Sequence, residues 1–143
     1  MSGLHDIVVG TVVPPLERTI ELPDMVAYAG ATWDWHRLHY DHDYLASKQV
    51  PAPVVDGQVF GALLAEQLLD WLGPRAVLLT LHFRFKALVF AGETVRCLAT
   101  VTAIEADPDG AGDLITVTSS VEVVGELGRV VVAPAGAIVT VPR

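Results

Sequence analysis

Residues 56–74 constrain the fold more than any other segment. Within them, 57–72 places Val59, Leu63, Leu64, Gln67, Leu68, Trp71 and Leu72 along one broad stripe, leaves Glu66 and Asp70 off it, and closes on Gly73-Pro74. That is the pattern of a helix whose wide apolar arc has to be covered. From Ala76 onward every segment reads as strand, over 77–85, 93–104, 114–124 and 129–141, with turns at Ala91-Gly92, 107–112 and 125–128. One apolar helix followed by four long strands is not the alternation of a parallel βαβ sheet. It predicts an α+β fold in which an antiparallel β-sheet wraps around one long central helix. Gly61, Ala62 and Ala65 leave room for a sheet or a ligand to approach that helix closely.

The N-terminal part is more broken. Residues 16–22 alternate as a half-buried strand would, and Pro23-Asp24 then open a short helix over 24–31 that is expected to stop near Gly30. A turn follows over 34–39, then a second short helix over 41–47 capped by Asp41, then an extended stretch over 50–55 enforced by Pro51 and Pro53. The whole chain, 1–143, reads as a single domain without repeats, and 52% hydrophobic residues suffice for its core. A formal charge of −8 argues against a nucleic-acid partner, because phosphate binding rests on clustered Lys and Arg. No stretch reaches the ~20 apolar residues of a membrane span, and residues 1–6 lack the basic and apolar regions of a secretory signal. Together with a lone cysteine, Cys97, this leads us to expect a cytoplasmic protein. Cys97 sits in an alternating strand pattern and reads as a buried structural thiol, not a nucleophile.

Chemistry concentrates in residues 33–43, W-D-W-H-R-L-H-Y-D-H-D, which hold three of the five histidines and three of the seventeen acidic side chains. Asp34 and His39, five residues apart across a turn, can converge on one small molecule, one holding a proton while the other accepts one. Tyr28, Trp33, Trp35, Leu38 and Tyr40 are expected to give the pair dry surroundings. The plainer alternative is that Asp34 caps a helix and His39 is a satisfied, partly buried histidine. His36, His39 and His42, spaced by three among Asp34, Asp41 and Asp43, invite a metal reading. Three residues in succession at a spacing of three drift around a helix, however, so no metal is expected. Asp56 reads as the N-cap of the long helix more than as a catalyst.

The element order, the Asp34 and His39 spacing and the P-V-V-D-G approach to the helix resemble the MaoC-type hot dog fold, specifically the R-specific enoyl-CoA hydratases and dehydratases, over most of the chain. That family carries Y-x-x-x-G-D-x-N-P-x-H, an apolar stretch, and P-x-x-H-G at the helix start. The corresponding residues are Tyr28, Trp33, Asp34, His36, Arg37 and His39, then Pro53, Asp56 and Gly57. The Asp and the last His match. Trp33 replaces the Gly, His36 the Asn, Arg37 the Pro and Asp56 the His, and Ala62 stands where a serine is often found. These departures resemble small actinobacterial hydratase subunits that act on steroid side-chain enoyl-CoA thioesters, whose R-D-F-Q-D-V-H-H-D is similar to W-D-W-H-R-L-H-Y-D. In that subfamily the catalytic chain assembles with a second, degenerate hot dog chain.

The resemblance implies syn addition of water to a trans-2-enoyl thioester to give a 3R-hydroxyacyl thioester, or the reverse dehydration. Asp34 and His39 would share the water and the proton traffic. The Gly57 amide, at a helix start and without a side chain, would face the thioester oxygen as charge develops there. His36 would take the place of the Asn that orients acid and water. No cofactor is expected, since CoA arrives as part of the substrate. The implied partners are an acyl-CoA and either an identical chain or a second hot dog chain, because hot dog sheets pair edge to edge. Two other readings stay open. A hot dog thioesterase would place its acid on the central helix, where Glu66 and Asp70 are the candidates, both off the stripe. A non-catalytic subunit would instead shape a partner's acyl tunnel. Arg37 fits the surface, a CoA phosphate or a partner chain, and the acyl size is open, since Gly61 and Ala62 leave space for a bulky group and Phe60 and Trp71 are large enough to fill the same space.

Overall fold

The computed structural model describes residues 6–110, 112–125 and 129–142. Its strands are β1 (Leu16–Thr19), β2 (Val77–Phe85), β3 (Thr94–Ala106), β4 (Gly112–Val123) and β5 (Val130–Pro142), and its helices are α1 (Leu22–Thr32), α2 (His42–Ser47) and α3 (Gln58–Leu72). The strands form one antiparallel sheet in the order β1-β3-β4-β5-β2, curled around α3 as in hot dog proteins. The expected turns over 107–112 and 125–128 lie partly outside the described residues.

The strand expected over 16–22 is shortened by a helix that starts early. Asp24 accepts the Glu21 N–H at 2.9 Å and Pro23 occupies the first turn, so α1 begins at Leu22. It then runs through Gly30 rather than stopping there, and ends where Trp33 takes a left-handed conformation, φ 58°. A non-glycine residue in that region is unusual, and it is fixed here by the Asp34 N–H donating to the Ala29 carbonyl at 3.1 Å.

The wide apolar arc of α3 is explained by what covers it. Leu63, Leu64 and Phe60 pack with Met25, Val95, Val121 and Val132, while Leu68 and Leu72 pack with Val13, Val101, Val117 and Val139. Fully burying a leucine such as Leu64 or Leu68 is worth about 1.5–3 kcal/mol. Gly61 is also buried, because the Phe83 ring of β2 lies on it, and Phe85 lies likewise on Gly57. Gln67 is the buried polar exception on the helix. Its Nε2 donates to the carbonyls of Pro14 (3.0 Å) and Cys97 (3.1 Å), tying the N-terminal segment and β3 to α3. β2 is an outer strand of the sheet and exposes Val77, Leu79 and Phe85.

Candidate active site

The segment between α1 and α3 is held by main-chain bonds. After Trp33 the chain crosses Trp35 and His36 and makes one turn of 3-10 helix, Arg37–His39, before α2. The His36 ring caps that turn, its Nδ1 accepting the Leu38 N–H at 3.1 Å. Asp41 caps α2 by accepting the Tyr44 N–H at 3.0 Å, as the sequence predicts. Val54 then returns beside the turn: its N–H donates to the Leu38 carbonyl at 2.9 Å, and its carbonyl meets His39 Nδ1 at 2.6 Å. Since a carbonyl only accepts, Nδ1 is the donor in this bond, and in the neutral ring Nε2, which faces Asp34, is the nitrogen left to accept a proton.

Asp34 and His39 do converge. His39 Nε2 lies 3.9 Å from Asp34 Oδ2, with the His39 side chain 14% and the Asp34 side chain 47% exposed. Asp34 Oδ1 accepts the His36 N–H at 3.2 Å. The carboxylate is therefore oriented by the main chain of residue 36, whereas the expectation gave that task to the His36 imidazole, which is occupied in capping the turn. Of the plain alternative, the helix cap does not hold, because the N-cap of the 3-10 turn is His36 and not Asp34, whereas His39 is indeed partly buried with its Nδ1 satisfied.

A third side chain, Asp56, read as an N-cap more than as a catalyst, joins this pair. Asp56 does accept the N–H of the first α3 residue, Gln58, at 2.9 Å, with the N-cap position itself at Gly57. Its carboxylate also faces the site: one ligand atom each from Asp34, His39 and Asp56 lie within 4.8 Å of one another. The signal available in the sequence was that Asp56 stands where the family carries His before the helix Gly. Burial first, and then the negative charge of Asp56, push the Tyr28 phenol upward, so Tyr28 borders the same cluster. Gly57 follows Asp56 directly, and its N–H has no acceptor among the described residues. His36, His39 and His42 are not gathered into a ligand set; His42 is exposed on α2.

The dry enclosure expected from the flanking aromatics is absent in the single chain. Trp33 is 80% exposed, because its left-handed backbone turns the indole outward, and Trp35 packs edge-on between Trp33 and Tyr40 at the surface, 6.0 Å from each. Arg37 is bound within its own segment. It donates to Asp41 at 2.7 Å and lies 4.7 Å above the Tyr44 ring. The Tyr44 N–H, and then Arg37, hold the Asp41 carboxyl below the usual carboxylate range. The candidate acids of a thioesterase lie elsewhere: Glu66 is paired with Arg18, and Asp70 is exposed near the C-terminal end of α3.

An antiparallel sheet around one helix, with an acid and an imidazole meeting beside the helix start, defines a hot dog protein of the hydratase type. The chain belongs to the MaoC-like family, whose model, described as MaoC like domain, matches residues 7–126. It is 28% identical over 121 residues to an (R)-specific enoyl-CoA hydratase of Rhodospirillum rubrum, covering 84% of each chain. Among solved structures it is similar to the (R)-hydratase from A. caviae involved in PHA biosynthesis, with a TM-score of 0.83, 26% identity, and 96% of this chain and 98% of that one covered. It is also similar to a chain of the ChsH1-ChsH2 complex from Mycobacterium tuberculosis, with a TM-score of 0.78, 26% identity, and 95% and 98% covered.

Proposed function

We propose that the chain is an R-specific enoyl-CoA hydratase, adding water to a trans-2-enoyl thioester to give the 3R-hydroxyacyl thioester. The observation that carries this reading is the convergence of Asp34 Oδ2 and His39 Nε2 at 3.9 Å, with Nδ1 committed to the Val54 carbonyl so that Nε2 is the accepting nitrogen of the neutral ring. A water oxygen placed against both would donate one hydrogen to each. His39 then takes a proton from the water as its oxygen bonds to Cβ and the Cα=Cβ π electrons move onto the thioester oxygen. As that enolate collapses back to the carbonyl, its electrons form the Cα–H bond with the proton that Nε2 gives up. Asp34 orients the water throughout. Delivery of oxygen and proton from one side gives syn addition. The Gly57 N–H at the start of α3 supports the oxyanion, where an oriented donor has most effect. The family and the R. rubrum relative support this reaction; Glu66, paired with Arg18, gives a thioesterase little to work with.

The acyl group we propose is bulky, of the steroid side-chain kind. The likeness of residues 33–41 to the steroid-type subunits and the similarity to the ChsH1-ChsH2 complex support that choice. The same similarity supports pairing with a second hot dog chain, identical or not, and the apolar outer strand β2 is a surface suited to it. No helix among the described residues is long and apolar enough to cross a membrane. The test is loss of the conjugated enoyl absorbance of crotonyl-CoA and of a steroid side-chain enoyl-CoA, with wild type beside Asp34→Asn and His39→Ala. Each variant is expected to lose ~100-fold or more in kcat, as for removal of a positioned acid or base. Near-wild-type turnover in both would refute the reading.

A further inference from the structure

Three groups that only accept hydrogen bonds face one another beside the start of α3. They are Asp34, Asp56 and, because Nδ1 is committed to the Val54 carbonyl, the Nε2 of neutral His39. Each carboxylate is held by a main-chain N–H on its Oδ1, Asp34 by His36 and Asp56 by Gln58. Among the described residues neither acid has Lys or Arg as a bonded partner, so the pair repels itself and gains little from a neutral ring. The balance reverses once Nε2 carries a proton. The ring is then a cation flanked by two anions, with its other N–H already satisfied.

We infer that Asp56 is a positioning residue of the site, stabilising His39 while that ring holds the proton taken from water. This rests on the hydratase reading. In the step described above, the water proton passes to Nε2 and returns from it to Cα, so the ring is positively charged only between the two transfers. A carboxylate fixed near it favours the charged interval over the resting state and therefore acts on kcat. Asp56 is separate from the pair that holds the water, and its Oδ1 bond to Gln58 lets one side chain serve the helix and the ring together.

The two roles separate by mutation. Asn caps as well as Asp, so Asp56→Asn keeps the Gln58 bond and removes only the charge. Hydration of crotonyl-CoA and of a steroid side-chain enoyl-CoA, and the melting temperature, are measured for wild type, Asp34→Asn, Asp56→Asn, Asp56→Glu and Asp56→Ala. Asp56→Asn is expected to retain the wild-type Tm and KM while kcat falls at least about tenfold. Asp56→Glu is expected to recover part of that kcat, and Asp56→Ala to lose both kcat and Tm. Wild-type kcat in Asp56→Asn, beside an inactive Asp34→Asn, would leave Asp56 a helix cap and overturn the inference alone. A wild type that hydrates no enoyl thioester would remove the hydratase reading and the role of Asp56 with it.

Discussion

Gly61→Ala sets two effects of opposite sign against each other within one helix turn. Alanine in a helix interior is worth about 1 kcal/mol over glycine, and residue 61 lies inside α3, so propensity alone predicts stabilisation. A Cβ built there lies 2.6 Å from both Cε1 and Cζ of Phe83, far inside contact distance. Phe83 has little freedom to yield: it packs against the core beneath β2 and meets Phe85 edge-on at 5.6 Å, and Phe85 rests on Gly57. Overpacking of this kind costs about 1–3 kcal/mol. The steric cost wins, and a net loss of about 1 kcal/mol is expected in urea denaturation followed by tryptophan fluorescence. In a Phe83→Ala background the obstacle is gone, and the same substitution should stabilise by about 1 kcal/mol, a coupling of about 2 kcal/mol between the two sites. A single Gly61→Ala more stable than wild type would refute the claim that β2 is seated on the helix through Phe83.

Glu93 is held by the Arg129 guanidinium and the Phe90 N–H. Burial pushes its carboxyl up, but Arg129 and the N–H outweigh it and leave the group below the usual Glu range. Stability from a lowered carboxyl is present above its unfolded value and lost as pH falls through the folded one. Glu93→Gln should therefore cost about 1 kcal/mol at neutral pH, with the difference from wild type vanishing in acid in denaturation curves across pH; a pH-independent difference would contradict the ion pair. Burial pushes the Cys97 thiol up to about 12, with Glu66 adding to the rise and Arg18 opposing it. Native protein at pH 8 should react with a thiol reagent at least about a hundredfold more slowly than protein in denaturant, and rapid native labelling would show that β3 is open.

Much of the fold was legible because it follows from periodicity. The stripe on α3 and the alternation in the four long strands are local patterns that the tertiary packing reinforces. What was misread depended on single interactions. Asp24 reaching back to Glu21 moved the start of α1 into the expected strand, and no periodicity reports such a bond. Phe60 and Gly61 fell outside the expected stripe because their burial comes from elements distant in sequence, Phe60 from α1 and the strands β3 to β5 and Gly61 from the Phe83 ring of β2. At the site, Asp34 and His39 were visible from their types and spacing. The orientation of Asp34 by a main-chain N–H, the fixing of the His39 ring by the Val54 carbonyl and the approach of Asp56 involve backbone atoms or segments fifteen and more residues away. The exposure of Trp33 was hidden for a related reason, since it follows from one unusual backbone angle.

Val54 has a consequence beyond the ring it steadies. It exchanges two bonds with the 3-10 turn through Leu38 and His39 and bridges to Phe90, while its neighbours Pro53 and Val55 bond Ala91 and Val89. Nearly all of these ties use peptide groups, which every residue carries alike. The segment that presents the dyad is thus clamped to the β2–β3 connection by a scaffold indifferent to the side chains hung on it. The three departures within that segment, Trp33, His36 and Arg37, can then change the side chains around Asp34 and His39 while the backbone that presents the pair stays in register.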